Sequence, residues 1–290
     1  MKPAPFAYDD PTTVAEAAAI LSRHGDEAKV LAGGQSLVPM LALRLARFER
    51  LVDLNRIAEL QAIERVDGKI RIGSMVRQSV AERDTTIATD APLLARALPH
   101  IGHFQIRNRG TIGGSIAHAD PASELPAVAL ALDAELEIAR AGATRKIAAS
   151  EFFLSMWTTV VQDDELLVAV HLPVRNPRSG FAIEELARRH GDFAIAGVAC
   201  SVSLGNDGSV ERAAIGMFGL GPTPLRAGAA EGALAGQPAT GLNLDEVANL
   251  AMTDAEPFDD IHATSAYRRA VGAHLTRTAL QRALEEASNG

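Results

Sequence analysis

Two pairs of adjacent glycines, far apart in the chain, restrict its fold more than any other feature. They lie in Ala32-Gly33-Gly34-Gln35-Ser36 and in Thr111-Ile112-Gly113-Gly114-Ser115. Glycine adopts positive φ angles and lets the backbone approach a ligand closely, and successive N–H groups in such a turn bind anions. The two loops together therefore predict a clamp on a diphosphate, although each loop taken alone is also compatible with a tight turn.

The first loop lies between a predicted strand at 29–32 and a predicted helix at 36–45. A helix beginning at Ser36 adds the partial positive charge of its N-terminus to the loop. The loop matches neither the G-x-G-x-x-G fingerprint nor a P-loop with its lysine. It therefore predicts neither a Rossmann domain nor a Walker site.

The hydrophobic pattern of the remaining chain indicates an α+β protein that ends in helices. The other predicted strands are 51–54, 69–73, 136–139, 145–147, 166–172, 181–188, 197–204 and 210–219. The predicted helices are 15–21, 79–84, 92–101, 125–132, 225–234, 244–251 and 265–287. Thr12 or Thr13 is the expected N-cap of the first helix. A turn-rich run at 174–180 predicts a domain boundary.

Composition excludes several classes of function. The 290 residues allow one large domain or two ordinary ones, and the net charge of -8 without a basic block argues against nucleic acid or an anionic membrane as partner. No apolar run reaches the length of a signal peptide or a membrane span. We therefore expect a cytoplasmic protein.

Cysteine, histidine and acidic residues restrict the chemistry further. The only cysteine, Cys200, lies in an apolar strand pattern, where a small buried residue is expected. One cysteine cannot hold an iron–sulfur cluster, which needs about four ligands. His118 and Asp120 lack an evident third metal ligand, and the histidines form no set typical of a catalytic triad. The sequence thus predicts neither a metal site nor a catalytic side chain, and it places any cluster in another chain.

Two further segments accompany the glycine loops: Ala119-Asp120-Pro121-Ala122-Ser123-Glu124-Leu125-Pro126 and Arg188-Arg189-His190-Gly191-Asp192-Phe193-Ala194-Ile195-Ala196. With the loops, they resemble the medium, FAD-binding subunit of the carbon monoxide dehydrogenase and xanthine dehydrogenase family of molybdenum hydroxylases, over essentially the whole chain. The resemblance implies the two-subdomain FAD-binding fold of the para-cresol methylhydroxylase and vanillyl-alcohol oxidase type, plus a small C-terminal α+β domain. It implies an FAD-binding domain at 1–176, with subdomains at about 1–57 and 58–176, and a C-terminal domain at 177–290.

The resemblance also implies residues that bind FAD. The first pyrophosphate loop would comprise Val30, Leu31, Ala32, Gly33, Gly34, Gln35, Ser36 and Leu37, and the second would use Thr111, Gly114 and Ser115. Ile101 would line the flavin pocket and Leu167 would pack on the adenine side, although both are also ordinary core residues. Glu124 stands where the family has an acid that binds the cofactor, although it is also placed to favour the start of a helix.

Three charged positions have less specific interpretations. Glu184 is included among the cofactor residues, but its position is a lysine in the xanthine dehydrogenase branch of the family. Arg107 and Arg109, which precede the second loop, are equally compatible with offsetting phosphate charge, docking a partner, or lying on the surface without a role.

As function, the resemblance implies an electron-transfer subunit. A large partner with a molybdenum cofactor would oxidise a substrate, a small partner with [2Fe-2S] clusters would carry the electrons, and FAD in this chain would pass them to a quinone, NAD or oxygen. The assembly would be a dimer of heterotrimers. Two alternatives remain: a self-sufficient FAD oxidoreductase of the same fold, and a non-enzymatic binding module whose glycine loops are only turns.

Overall fold

A computed structural model describes residues 2–290. The first subdomain is a parallel three-stranded sheet in the order β1-β3-β2 with two helices. Its elements are β1 (Ala7–Asp9), α1 (Val14–His24), β2 (Ala28–Leu31), α2 (Leu37–Ala42) and β3 (Arg50–Asp53). Thr13 caps α1, since its hydroxyl accepts the Glu16 N–H at 3.1 Å, which confirms one of the two expected N-caps.

The second subdomain is an antiparallel sheet in the order β4-β5-β10-β6-β7, covered by short helices. The strands are β4 (Ile63–Val66), β5 (Lys69–Gly73), β6 (Glu135–Arg140), β7 (Ala143–Ala148), the β8 (Phe153–Ser155) and β9 (Thr158–Thr159) hairpin, and β10 (Leu166–Pro173). The helices are α3 (Gln78–Ala81), α4 (Thr85–Asp90), α5 (Pro92–Ala97), α6 (Phe104–Arg107), α7 (Ile112–His118) and α8 (Glu124–Ala131).

Strand β10 joins the two subdomains because its buried side chains pack against both of them. Leu166 and Val168 pack against the first subdomain, whereas Val170 and Leu172 pack into the core of the second. A bulge between Leu167 and Ala169 causes this change of face, because an extra residue shifts the alternation of side chains along a strand.

The C-terminal domain is an antiparallel sheet in the order β11-β12-β13-β14, packed against helices. Its elements are β11 (Ser179–Ala187), β12 (Ala194–Leu204), β13 (Val210–Phe218), β14 (Leu225–Arg226), α9 (Gly228–Leu234), α10 (Leu244–Ala251) and α11 (Ser265–Asn289). Strand β12 is buried along its whole length, as expected for a central strand covered on both faces.

Helix α8 connects this domain to the FAD-binding region. All of its residues are buried, as expected for a helix that is apolar on every side. Gly216 of β13 lies so close that a Cβ there would lie 3.0 Å from the carbonyl carbon of Ala127. The start of α8, which carries Glu124, is therefore fixed by packing from both domains.

The fold class expected from the resemblance is confirmed, with local corrections. Residues 225–226 are wrongly predicted as helical: they pair with β13, and the helix begins only at Gly228. Helix α2 ends at Ala42 rather than at 45, and Arg44 there has a φ of 60°. The run 92–101 is helical to Ala97 and then tightens into a 3₁₀ turn at Leu98–His100, since Pro99 cannot donate a helical hydrogen bond.

The expected domain boundary at 176 lies in the segment between β10 and β11. The C-terminal helix α11 is the longest helix of the part that the structure describes, but it is polar. Across residues 2–290, no helix combines the length and the apolar character needed to cross a membrane.

Candidate functional site

The first glycine loop presents a row of free backbone donors. Strand β2 ends at Leu31, and Gly34 adopts a φ of 75°. Among the hydrogen bonds within residues 2–290, none is donated by the backbone N–H groups of residues 33–37. Unpaired N–H groups of consecutive residues form a concavity that binds an anion. Helix α2 has only 6 residues, so the donors themselves, rather than a long helix dipole, make the site.

The second glycine segment is built differently from the expected loop. Gly113 and Gly114 lie inside helix α7, for which Thr111 is the N-cap and accepts the Gly114 N–H at 3.0 Å. The N–H of Gly113 donates to Ser74 O at 2.9 Å. The hydroxyl of Ser115 lies 3.2 Å from that of Ser123. The backbone N–H groups of this segment are already paired. It therefore offers a ligand hydroxyl groups rather than backbone donors.

The two glycine segments are in contact. A Cβ on Gly114 would lie 3.1 Å from the Cβ of Ala32 and 2.6 Å from the Thr111 hydroxyl. A Cβ on Gly33 would lie 2.8 Å from the Cα of Gly110. The backbone contact therefore requires glycine at position 33, and a Cβ at position 114 would crowd the side chains of Thr111 and Ala32. The sequence suggested these glycines for the approach of a ligand rather than for contact within the protein.

Asn55 and Arg77 link the first segment to Arg109, which precedes the second segment, and the sequence analysis missed them. Asn55 donates from Nδ2 to the carbonyl oxygen of Ala32 at 3.1 Å. Arg77 donates to the Asn55 side-chain oxygen and to the carbonyl oxygen of Arg109. Neither residue belongs to a motif, so only the three-dimensional arrangement reveals this bridge.

A cluster of acids and a histidine lies where the C-terminal domain meets the FAD-binding region. Burial raises the pKa of Glu124 to about 8, and the charge of Glu185 on β11 adds to the increase. Glu185 Oε2 lies 3.4 Å from His100 Nδ1 but lacks the geometry of a hydrogen bond, so it is buried without a hydrogen-bond partner among the described residues. A buried acceptor of this kind is where a ligand's donor is expected.

The loop between β11 and β12 contacts the segment that contains Ile101. Ile101 is buried, and a Cβ on Gly191 would lie 3.0 Å from backbone atoms of Gly102. The rings of His103 and His190 lie 6.2 Å apart. The C-terminal domain therefore closes one side of the region that begins at His100.

The remaining expected residues lie in two different settings. Leu167 is buried at the bulge of β10. Glu184 points to the opposite face of β11 from Glu185 and pairs with Arg282 of α11. Side chains of adjacent residues on a strand point to opposite faces. Of these two glutamates, only Glu185 therefore lies on the face of β11 that contacts His100.

The residues present fit a flavin dinucleotide. The free amides of 33–37 suit a diphosphate, and Glu124 and Glu185 supply buried hydrogen-bonding groups for the polar parts of the remaining ligand. A glycine turn after a parallel strand, closed by a second subdomain with an antiparallel sheet, defines the class as a two-subdomain FAD-binding flavoprotein.

Comparisons with known proteins give the family. A family profile described as the FAD binding domain in molybdopterin dehydrogenase matches residues 4–175, and one described as the CO dehydrogenase flavoprotein C-terminal domain matches residues 181–283. The chain therefore belongs to the FAD-binding subunits of the molybdopterin dehydrogenase family, and it is an oxidoreductase subunit whose cofactor is FAD.

Individual relatives align over nearly the whole chain. The 6-hydroxypseudooxynicotine dehydrogenase complex subunit alpha of Paenarthrobacter nicotinovorans is 40% identical over 99% of this chain and 96% of its own length. The carbon monoxide dehydrogenase medium chain of Hydrogenophaga pseudoflava is 35% identical over 98% of each chain. A solved carbon monoxide dehydrogenase from Hydrogenophaga pseudoflava superposes with a TM-score of 0.96 at 37% identity, covering 99% of each chain. Quinoline 2-oxidoreductase from Pseudomonas putida 86 superposes with a TM-score of 0.92 at 33% identity, covering 99% of each chain.

Proposed function

We propose that this chain is the electron-transfer subunit of a heteromeric molybdenum hydroxylase. It receives electrons from [2Fe-2S] clusters in a small partner chain, which obtains them from a large partner chain with a molybdenum cofactor. It then delivers the electrons to an external acceptor. The names of the relatives, "complex subunit alpha" and "medium chain", support a role within an assembly, and we propose a dimer of heterotrimers.

The observation that carries this proposal is the contact between the two glycine segments beside a row of unpaired amides. The N–H groups of 33–37 bind the diphosphate, while Thr111, Gly114 and Ser115 close the other side. Bound FAD supplies the redox chemistry, because it exchanges electrons with both one-electron and two-electron partners. The chain itself binds, orients and shields the cofactor.

The acid cluster orients the polar groups of the cofactor. Glu124 holds a proton near neutral pH because burial raises its pKa to about 8, so it donates as well as accepts hydrogen bonds. Glu185 joins the proposed site because its Oε2 is a buried acceptor without a hydrogen-bond partner in the described part of the chain. Ile101 and Leu167 supply apolar walls. For Glu184, which pairs with Arg282, a cofactor role stays a prediction.

The experiment is to purify the full chain, add FAD, desalt it, and record the absorbance and fluorescence of the protein fraction. Retained flavin is the expected result. A tagged chain purified from its source cells should co-purify with two further chains, iron and molybdenum. Cell fractionation should place the complex in the cytoplasm. A yellow chain that purifies alone and oxidises a substrate without iron or molybdenum would instead indicate a self-sufficient oxidoreductase.

A further inference from the structure

Two arginine side chains lie beside the contact between the glycine segments. Arg77 donates to the backbone carbonyl of Arg109 and to Asn55 Oδ1. Burial lowers the pKa of Arg77, and the nearby positive charge of Arg109 lowers it further. Across residues 2–290, neither guanidinium group forms an ion pair: Arg77 bonds to neutral oxygens, and the Asp53 carboxylate acts on it only through space. The repulsion between the two cations outweighs the attraction of Asp53 for Arg77, so an external anion would stabilise the pair.

The two arginines that precede the second segment have different environments. Arg107 is buried: it pairs with Glu82 at 2.9 Å and donates to the carbonyl oxygen of Ile101 at 3.0 Å. Arg109 is exposed, and only its backbone atoms make hydrogen bonds within the described chain. Arg107 therefore holds the wall next to Ile101, whereas the guanidinium group of Arg109 is available to a ligand.

The position of Arg109 complements the first loop. Its carbonyl carbon lies 3.0 Å from where a Cβ of Gly33 would be, so its backbone touches the start of the free amides. In helix α7, the backbone N–H groups of Ile112, Gly113 and Gly114 already donate hydrogen bonds within the protein. The second segment can therefore contribute positive charge to an anion held by residues 33–37 only through a side chain.

We propose that Arg109 is a direct ligand of the diphosphate of the bound dinucleotide, and that Arg77 positions it. The proposal rests on the FAD-binding function proposed above and adds two residues to that site. Guanidinium groups bind phosphate oxygens through charge-assisted hydrogen bonds. Arg77 fixes the backbone of Arg109, and through Asn55 it also fixes the carbonyl of Ala32. The backbone from which the Arg109 side chain extends is thereby held beside the first loop before the ligand binds.

The test measures binding of FAD to the full chain by fluorescence titration, with ADP as a competitor that carries the diphosphate but no flavin. We expect Arg109→Gln to weaken both FAD and ADP about tenfold, because each loses a charge-assisted contact. Arg109→Lys should recover most of this loss, since it keeps the charge. Added salt should weaken FAD binding by wild type more than by Arg109→Gln.

Arg77→Met tests the positioning role. It should also weaken FAD and ADP about tenfold, although Arg109 keeps its charge, because the backbone of Arg109 is released. Arg140→Gln is the matched control: this exposed arginine ends strand β6, outside both glycine segments, and should leave both affinities unchanged.

The outcomes separate the two proposals. If wild type binds FAD but Arg109→Gln binds FAD and ADP equally well, Arg109 is not a ligand and the inference is wrong. If Arg109→Gln weakens FAD without weakening ADP, the contact is not with the diphosphate, and the inference is again wrong. If wild type binds neither FAD nor ADP, the proposed function fails and this inference fails with it.

Discussion

His100 Nδ1 lies 3.4 Å from Glu185 Oε2, and this contact joins the segment before Ile101 to strand β11 of the C-terminal domain. The Glu185 carboxylate raises the pKa of His100 against the effect of burial. The same carboxylate adds to the high pKa of Glu124, for which burial is the larger cause. Glu124, which keeps its proton near neutral pH, therefore lies near Glu185, which contacts His100. Because the pKa of Glu124 is raised by folding, the stability of the chain depends on pH.

We predict that Glu124 makes the FAD-free chain less stable as the pH rises from 5 to 8. The pKa of Glu124 is raised from 4.5 to about 8 on folding. Below pH 4.5 the group is neutral in both states, whereas at higher pH only the unfolded chain ionises freely, so stability falls as the pH approaches 8. At about 1.4 kcal/mol per pKa unit, the loss is roughly 3–4 kcal/mol. Urea unfolding at pH 5 and pH 8 measures it.

Glu124→Gln should remove most of this pH dependence, because an amide does not titrate. Its advantage over wild type should therefore appear at pH 8 and be small at pH 5. Glu256→Gln is the control, since it removes one negative charge from an exposed position. If wild type and Glu124→Gln lose stability in parallel between the two pH values, Glu124 is not the group responsible.

Alanine at Gly33 or Gly114 should separate the two glycine segments. At Gly33 the new Cβ meets the backbone of Arg109 and Gly110, with 2.8 Å to the Gly110 Cα, and at Gly114 it meets Ala32 at 3.1 Å. At Gly33 the backbone cannot move aside, and at Gly114 the new Cβ would lie 2.6 Å from the Thr111 hydroxyl that caps α7. We therefore expect a loss of roughly 1–3 kcal/mol in unfolding free energy together with loss of FAD on desalting.

Gly232→Ala is the matched control for these substitutions. Gly232 lies within helix α9 with open space around its position, so alanine there should stabilise the chain by up to about 1 kcal/mol. Unchanged melting temperature and FAD retention in Gly33→Ala would argue against the close approach of the segments.

The thiol of Cys200 should be inert in the folded chain. It is fully buried in β12, and burial raises its pKa to about 12, so almost no thiolate is present at neutral pH. A thiol-specific chromogenic reagent should give no signal with the native chain and one equivalent per chain in denaturant. Rapid labelling of the native chain would show that β12 opens.

The elements that the sequence predicts best are those with a local cause. The buried run of β10 and the strand pattern of β11 to β13 follow from hydrophobicity, and the Thr13 cap follows from a side chain that satisfies the first turn. Residues 225–226 show the limit of this reasoning. Their pairing with β13 depends on contact between segments, which overrides the helical tendency of the run that follows.

The glycine pairs show the same limit at the site. Their motif indicated a phosphate-binding role, but it could not show that the Gly113 and Gly114 amides are used by Ser74 and Thr111. Likewise, choosing between Glu184 and Glu185 requires knowing which face of β11 looks toward His100. Asn55 and Arg77 carry no local signal at all, because their partners lie far away in the sequence.

The last prediction concerns Arg268, which ties the start of α11 to the C-terminal sheet. Its side chain is buried, donates to the carbonyl oxygens of Ile195 and Gly219, and pairs with Asp260 at 2.7 Å. Removing one partner leaves these acceptors without a donor, so Arg268→Met should cost roughly 2–4 kcal/mol in urea unfolding. Arg277, also on α11, makes an exposed pair with Asp245 of α10, and Arg277→Met should cost less than about 1 kcal/mol. Because Gly219 also donates to Pro121 O at 2.7 Å, just before α8, the loss at Arg268 should reach the FAD-binding region. Equal costs for the two variants would mean that α11 is held by its apolar face alone.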